Sequence, residues 1–440
     1  MQMSKFQLAV LIILGLCIVG GIVAFSLYKG SGNATVDLSI WGTVETDIWN
    51  SWYSATPFYQ NTDYRIAYKY VPEGTFDSEL VNALAEDRGP DIIFTFHDKI
   101  LKNQGKIYPI PYTSFTLRDF QSTFIDAADA LRIPKGILGI PIVVDPLVLF
   151  YNKDIFSNFS LVRSPRLWEE MYGMARSMTL SEKSTGNIIQ ATIPLGSFSN
   201  VLHSKEIIST MIMQAGGKVV TDTDNFIHAA IGENFNLPYS PGNAALLFFT
   251  EFSNPAKVFY TWNRSMPDSL TSFSAGDSAM FIGFASDYKK IKDKNPNLNF
   301  DVGALPQSTG SSRPMTFGRI LAFAVPKGSP KALSAFGAIF EMMSAQAVLP
   351  LTSILNLPPA RKDLLSQRPT DPFLDLFYDG AIKSVAWKDP DLAGTNNIFK
   401  NMVDGVTSGR TRVEGAVIQA QKELQDLIDS TTRASAPVTP

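Results

Sequence analysis

Two aspartates stand where ionised groups are costly. Asp145 interrupts the apolar run IVVDPLVLF at 142–150, and Asp98 directly follows DIIFTFH at 91–97. A carboxylate taken out of water needs a partner. It is therefore either a paired core acid or a contact to a bound molecule. Two such acids roughly 5–10 Å apart, one with a raised pKa, would serve glycoside hydrolysis. Each also has a quieter role. Asp98 suits a helix N-cap, and Asp145 suits an acid satisfied by nearby backbone N–H groups.

Other groups extend this set. Glu45 lies in the loop GTVET, where neighbouring Thr43 offers a hydroxyl. Trp262 (FYTWNRS) and Trp387 (SVAWKDPD) sit in polar, turn-like surroundings. Cleft placement would let their rings pack on the C–H face of a sugar, and semi-buried packing is the alternative. Arg319, in the turn FGR, reads as a salt-bridge partner or a contact for an anionic ligand group. No G-x-S-x-G, H-E-x-x-H or P-loop is present.

Composition removes several classes. The formal charge is -3 without a basic block, which argues against nucleic acid as a partner. The single cysteine, Cys17, excludes an internal disulfide framework and a thiolate metal cluster. His97, His203 and His228 lie at no metal-ligand spacing from one another, so neither metal nor cofactor is expected. At 440 residues, 45% hydrophobic, the chain is globular and too long for one core.

The positioning elements follow from period and punctuation. Residues 36–41 alternate as a first strand, and those from 47 onward read as a helix with Ile48, Trp49 and Trp52 on one side. Residues 64–71 form a second strand. Residues 75–87 form an amphipathic helix carrying Phe76, Leu80 and Leu84, and 91–96 a short buried strand. This β-α-β order implies a parallel sheet, with Glu45 and Asp98 at the carboxyl ends of strands, where open α/β sheets bind ligands. Ser164-Pro165 and Ser329-Pro330 read as helix starts, the second leading a helix with Leu333, Phe336, Phe340 and Met343 on its core face. Thr411 and Glu414 match a capping box ahead of a stripe of Val413, Val417, Ala420 and Leu424. From 431 the composition predicts a disordered tail.

At the N-terminus, residues 8–28 are uncharged, roughly the 20 needed to span a bilayer. Lys5 keeps residues 1–5 cytoplasmic, so the expectation is a transmembrane anchor at 6–28 followed by a flexible linker at 29–35. Cleavage before a lipidated Cys17 is the alternative, although Leu16 stands where that signal wants Gly or Ala.

Beyond these local readings, a series of phrases resembles, in order, the family 1 extracellular solute-binding proteins of ABC transporters, the maltose-binding-protein-like family. They are RGPDIIFTFHDKI at 88–100, GILGIPIVVDPLVLFYNKDIF at 136–156, SPRLWEEM at 164–171, FSAGDSAMFIGFASDY at 273–288, FGRILAFAVPKGSP at 317–330, LPPARKDLL at 357–365 and VTSGRTRVEGAVIQAQKEL at 406–424. The resemblance implies an α/β, two-lobe periplasmic-binding-protein-like fold with a hinged cleft. Lobe 1 would comprise 36–144 and 316–365, and lobe 2 would comprise 145–315 and 366–430. The hinges would lie near 143–146, near 316–318 and after about 365. It also implies that Asp98, Asp145 and Glu45 contact a sugar. Thr95 occupies the position of one stacking tryptophan, Phe284 lies beside the place of another, and Asn396 falls near a third. These departures argue against maltodextrin while keeping a solute-binding role. The implied function is a membrane-tethered extracellular receptor that passes a small polar solute, most often a sugar or oligosaccharide, to an ABC permease. A surface glycan hydrolase and a sensor are the alternatives.

Overall fold

The computed structural model describes residues 35–61, 63–223 and 226–435. The expected anchor at 6–28 and the cytoplasmic stretch at 1–5 lie outside the described residues. Among the described residues, no single helix is long and apolar enough to cross a membrane.

Val36–Gly42 lies between Tyr64–Tyr70 and Ile92–Phe96, parallel to both. Ile92–Phe96 then pairs antiparallel with Thr316–Ala324, so the sheet is mixed. Thr316–Ala324 in turn pairs antiparallel with the first half of the 13-residue strand Ile140–Asn152. From Leu147 onward that long strand changes partners, taking Met280–Phe284 on one edge and Phe300–Gly303 on the other. One unbroken strand therefore carries the chain from the first lobe's sheet into the second's. Ser384–Val385 adds a short parallel pairing at the start of the return strand Thr316–Ala324.

The inner strands Ile92–Phe96 and Thr316–Ala324 are buried along nearly their whole length because both faces of the sheet are covered there, whereas the edge strand Tyr64–Tyr70 alternates half-buried and exposed residues. Ile40, Ile92, Phe94, Leu321 and Phe323 face one hydrophobic cluster. Ile93, Ile320, Ala322 and Val144 face the other. A third cluster, in the second lobe, gathers the helices Ser204–Gln214, Pro241–Glu251, Leu392–Thr407 and Val413–Ser435 around Phe249, Phe252 and Trp262. The helix Pro372–Ile382 inserts Phe377 and Tyr378 into the two clusters that meet at the crossing strands and sets the Phe373 ring 5.2 Å from that of Tyr288, so it packs across the hinge.

Several local expectations need correction. The Ser329 hydroxyl donates to Asp91 and accepts from the Lys331 N–H, and the helix begins only at Ala332. That helix buries Ala335, Ala338, Ile339 and Met342, while Leu333 is 89% exposed. The helix is apolar on too many sides for the pattern alone to choose its buried face. Ser164-Pro165 does not open a helix. The segment runs extended to a bridge between Leu167 and Gln307, and the Glu170 carboxylate accepts the N–H groups of Arg166 and Leu167 where the helix Glu170–Met178 starts. The last helix buries Val417, Ala420 and Leu424 as the stripe requires. It continues to Ser435, so residues 431–435 extend a helix instead of beginning a disordered tail.

Candidate ligand cleft

The parallel pairing brings the carboxyl ends of the first strands together. The Thr43 N–H donates to the Phe94 carbonyl at 3.1 Å, and the Thr43 and Thr95 hydroxyls lie 3.5 Å apart. Thr95 itself is fully buried. Glu45 occupies the N-cap position of Thr46–Ala55 without a side-chain capping bond and faces solvent. The loop after Tyr64–Tyr70 contributes Glu73, and the next strand end contributes His97 and Asp98.

Arg319 organises this corner. It sits on the return strand directly opposite Asp145. Its guanidinium lies 3.9 Å from the centre of the Phe96 ring and 5.8 Å from that of Phe284. It donates to Glu73 at 2.5 Å and stands 3.6 Å from Asp98. Burial opposes its charge, but Asp98 and Glu73 outweigh burial and raise its pKa. The sequence offered a salt bridge or an anionic-ligand contact for Arg319, and the structure places its side chain, mostly buried, in an ion pair with Glu73 and Asp98.

Asp98 lies behind this arginine. It is 5% exposed, and neither carboxylate oxygen has a hydrogen-bond donor among the described residues. Burial pushes its pKa up, yet the charges of Arg319, His97 and Lys205 prevail and hold it below the usual carboxylate range. It is in the first turn of His97–Lys102, but the N-cap residue is Phe96, so Asp98 is not the cap. Its neighbour His97 is buried and accepts the Ile320 N–H on Nδ1 at 3.1 Å. Burial lowers the His97 pKa to about 4.

Asp145 follows a different rule. It is 2% exposed and accepts the Ser286 N–H at 3.0 Å. Burial dominates here and pushes its pKa up to about 6, against the lowering effect of that bond and of Arg319. The next acid, Asp287, accepts the Phe284 N–H and bonds His203 Nε2 at 2.8 Å. A chain of polar contacts thus runs from the hinge strand to the wall of the space between the lobes.

That space is a cleft of about 380 Å³. Glu73 and Arg319 form one wall. Phe284, His203, Lys205 and Glu206 form another, and Asn396, Asn397 and Lys400 close it from the start of Leu392–Thr407. Lys205 is buried, paired with Asp389 and donating to Thr395 at 3.2 Å. Burial works against its charge, but Asp389 and Glu206 raise its pKa. Lys102, on the first-lobe helix, reaches Asp391 at the N-cap of Leu392–Thr407 at 3.1 Å, linking the lobes at the rim.

Of the residues singled out in the sequence, Arg319 and Phe284 reach the cleft wall, as does Asn396. Asp98 and Asp145 lie behind it, so neither carboxylate is presented as a hydrolytic pair would require. Trp262 requires correction: it is completely buried in the second-lobe core and donates its indole N–H to Asn200 at 3.1 Å, so it offers no stacking face. Trp387 is also almost fully buried, with its ring 5.6 Å from the Lys205 ammonium and stacked on Phe399. Glu73, His203, Lys205 and Glu206 were not singled out. Glu73 was detectable, because it follows a parallel strand just as Glu45 and Asp98 do. His203, Lys205 and Glu206 fall in a short polar stretch, HSKE, whose importance comes only from which helix end meets the other lobe.

A mixed sheet shared by two lobes, joined by crossing strands beside a polar cleft, defines a two-lobe binding protein. Residues 42–343 match the family of bacterial extracellular solute-binding proteins, and the chain belongs to that family. It is accordingly a solute-binding protein and not an enzyme. Solved structures share the architecture. An ABC transporter solute-binding protein from Thermotoga lettingae, bound with α-D-tagatose, is 20% identical with a TM-score of 0.68, covering 90% of this chain and 100% of that one. The GacH receptor of Streptomyces glaucescens, solved unliganded and with acarbose, is 17% identical with a TM-score of 0.70, over 90% and 99%. The cyclic α-maltosyl-1,6-maltose binding protein of Arthrobacter globiformis is 15% identical with a TM-score of 0.73, over 90% and 100%.

Proposed function

We propose that this protein captures a small carbohydrate in the cleft between its lobes and hands it to an ABC permease from the outer face of a membrane, tethered by residues 6–28. The observation that carries this reading is the cleft itself: Glu73, Glu206, Asn396 and Asn397 supply hydroxyl-bonding groups around an apolar surface at Phe284. The bound sugars of the structurally similar proteins support the solute class. Lobe 1 is taken as 36–144 with 316–365 and lobe 2 as 145–315 with 366–430, the segment 366–382 lying against the hinge. Change of strand partner at Leu147 supports the first crossover. Within this reading Glu73, Phe284 and Asn396 touch the solute. Arg319 positions Glu73, and Asp98 sustains the charge of Arg319 from behind. Thr43, Glu45 and Thr95 border the same strand ends.

A thermal-shift screen against mono- and oligosaccharides, with peptides and polyamines as controls, tests the proposal. A sugar at a thousand times its Kd adds about 4 kcal/mol, an upshift of several degrees. Glu73→Gln or Asn396→Ala then weakens binding by about 1–3 kcal/mol. A shift with polyamines or peptides alone overturns the carbohydrate assignment.

A further inference from the structure

A second cavity, of about 460 Å³, shares no wall residue with the cleft. It is bounded by both crossing strands. Leu147 comes from the outgoing strand, Thr316 from the start of the return strand, and Met315 from the residue just before it. Val302 and Leu305 form its inner wall, and the helix Pro372–Ile382 covers it. Its volume falls within the roughly 300–1,000 Å³ of small-molecule sites. The first cleft is ringed by charged and amide groups, whereas this cavity is walled mainly by aliphatic side chains, with Ser164, Gln307 and Thr316 as its uncharged polar members.

The charges at its mouth are unequal. Arg163 is already paired with Glu170 at 3.3 Å, and Asp379 with Arg368 at 2.8 Å. Arg166 and Lys383 also border the cavity, and among the described residues neither has an acidic side chain within ion-pair distance. An apolar chamber with two uncommitted cations at its rim matches one ligand chemistry: a hydrocarbon body ending in a single anionic group. Such a molecule buries its chain, which is favourable in proportion to apolar area removed from water, and leaves its carboxylate beside Arg166 and Lys383.

We infer that this hinge cavity is a second binding site, taking a free medium-chain carboxylate, independently of the solute in the cleft. Isothermal titration of the protein with decanoate, kept below its micelle concentration, tests this, with decanol as the uncharged counterpart. The expected result is one decanoate per chain, bound at least about tenfold more tightly than decanol. The double variant Arg166→Glu, Lys383→Glu changes only side chains at the rim and should lower decanoate affinity at least about tenfold. Leu376→Trp, which fills the chamber from the helix, should abolish binding of both compounds. No saturable binding of decanoate overturns the proposal, as does equal binding by the double variant or by Leu376→Trp.

Discussion

The strand-tip corner of the first lobe and the hinge strand each bury one aspartate, and the two acids behave oppositely. Asp98 has no hydrogen-bond donor among the described residues, yet it is held ionised. Asp145 has a backbone donor, yet its proton is held more tightly than usual. Both are almost completely removed from solvent. The difference is in the surrounding charge. Asp98 is within reach of Arg319, His97 and Lys205, whereas Asp145 has Asp287 close by to oppose the help it gets from Arg319. Burial penalises the charge in both places, and the number and sign of neighbouring charges help decide which side of the usual range each acid takes. A single hydrogen bond does not outweigh that balance.

The strongest test of this contrast removes a cation. Lys205→Met strips one positive charge from the neighbourhood of Asp98 and leaves Asp389 buried without its partner. Breaking a buried pair this way costs about 3–5 kcal/mol, to be read from the urea midpoint. A loss under about 1 kcal/mol would mean that the charge network at the cleft floor is not holding these acids.

The next test is Asp145→Asn. The ordinary pKa of 3.8 is raised to about 6 in the folded protein. Between these values the folded chain keeps a proton that the unfolded chain releases, so the contribution of Asp145 to stability falls as pH rises. The slope is at most about 1.4 kcal/mol per pH unit. The asparagine variant lacks this loss. Its melting temperature relative to the parent should climb from pH 4 to pH 6 and then level off. A flat difference across that window would refute burial as the dominant cause.

Asp98→Asn should give the opposite sign with a smaller amplitude. A lowered pKa contributes stability that is present above the unfolded value and lost as pH falls through the folded one. The variant is therefore less stable than the parent at pH 7.5, and the gap closes in acid. If both aspartate variants show the same pH trend, the contrast between the two regions is wrong. The smallest effect belongs to Leu333→Ser. With its side chain in solvent, the change should stay within about 0.5 kcal/mol in chemical denaturation. A larger loss would restore the apolar stripe read from the sequence.

Much of the architecture was legible before any coordinates. The strands at 36–41, 64–71 and 91–96, the stripe at Val417, Ala420 and Leu424, and the apolar, acid-bearing run at 142–150 all follow from local period and composition, which depend on near neighbours in the chain. The family came instead from the resemblance of the ordered phrases to those of known solute-binding proteins, each phrase being a contiguous run of chain. Other features depended on contacts between distant segments. Whether Trp262 would face a cleft or a core depended on Asn200, and the buried face of the helix Ala332–Met342 depended on what packs over it. The cleft charges depended most on tertiary structure, because Arg319, Glu73, Lys205 and Asp389 come from four separate segments. Sequence could place an acid at the end of a strand. Only the fold could determine which cations surround it, and through them the charge it carries.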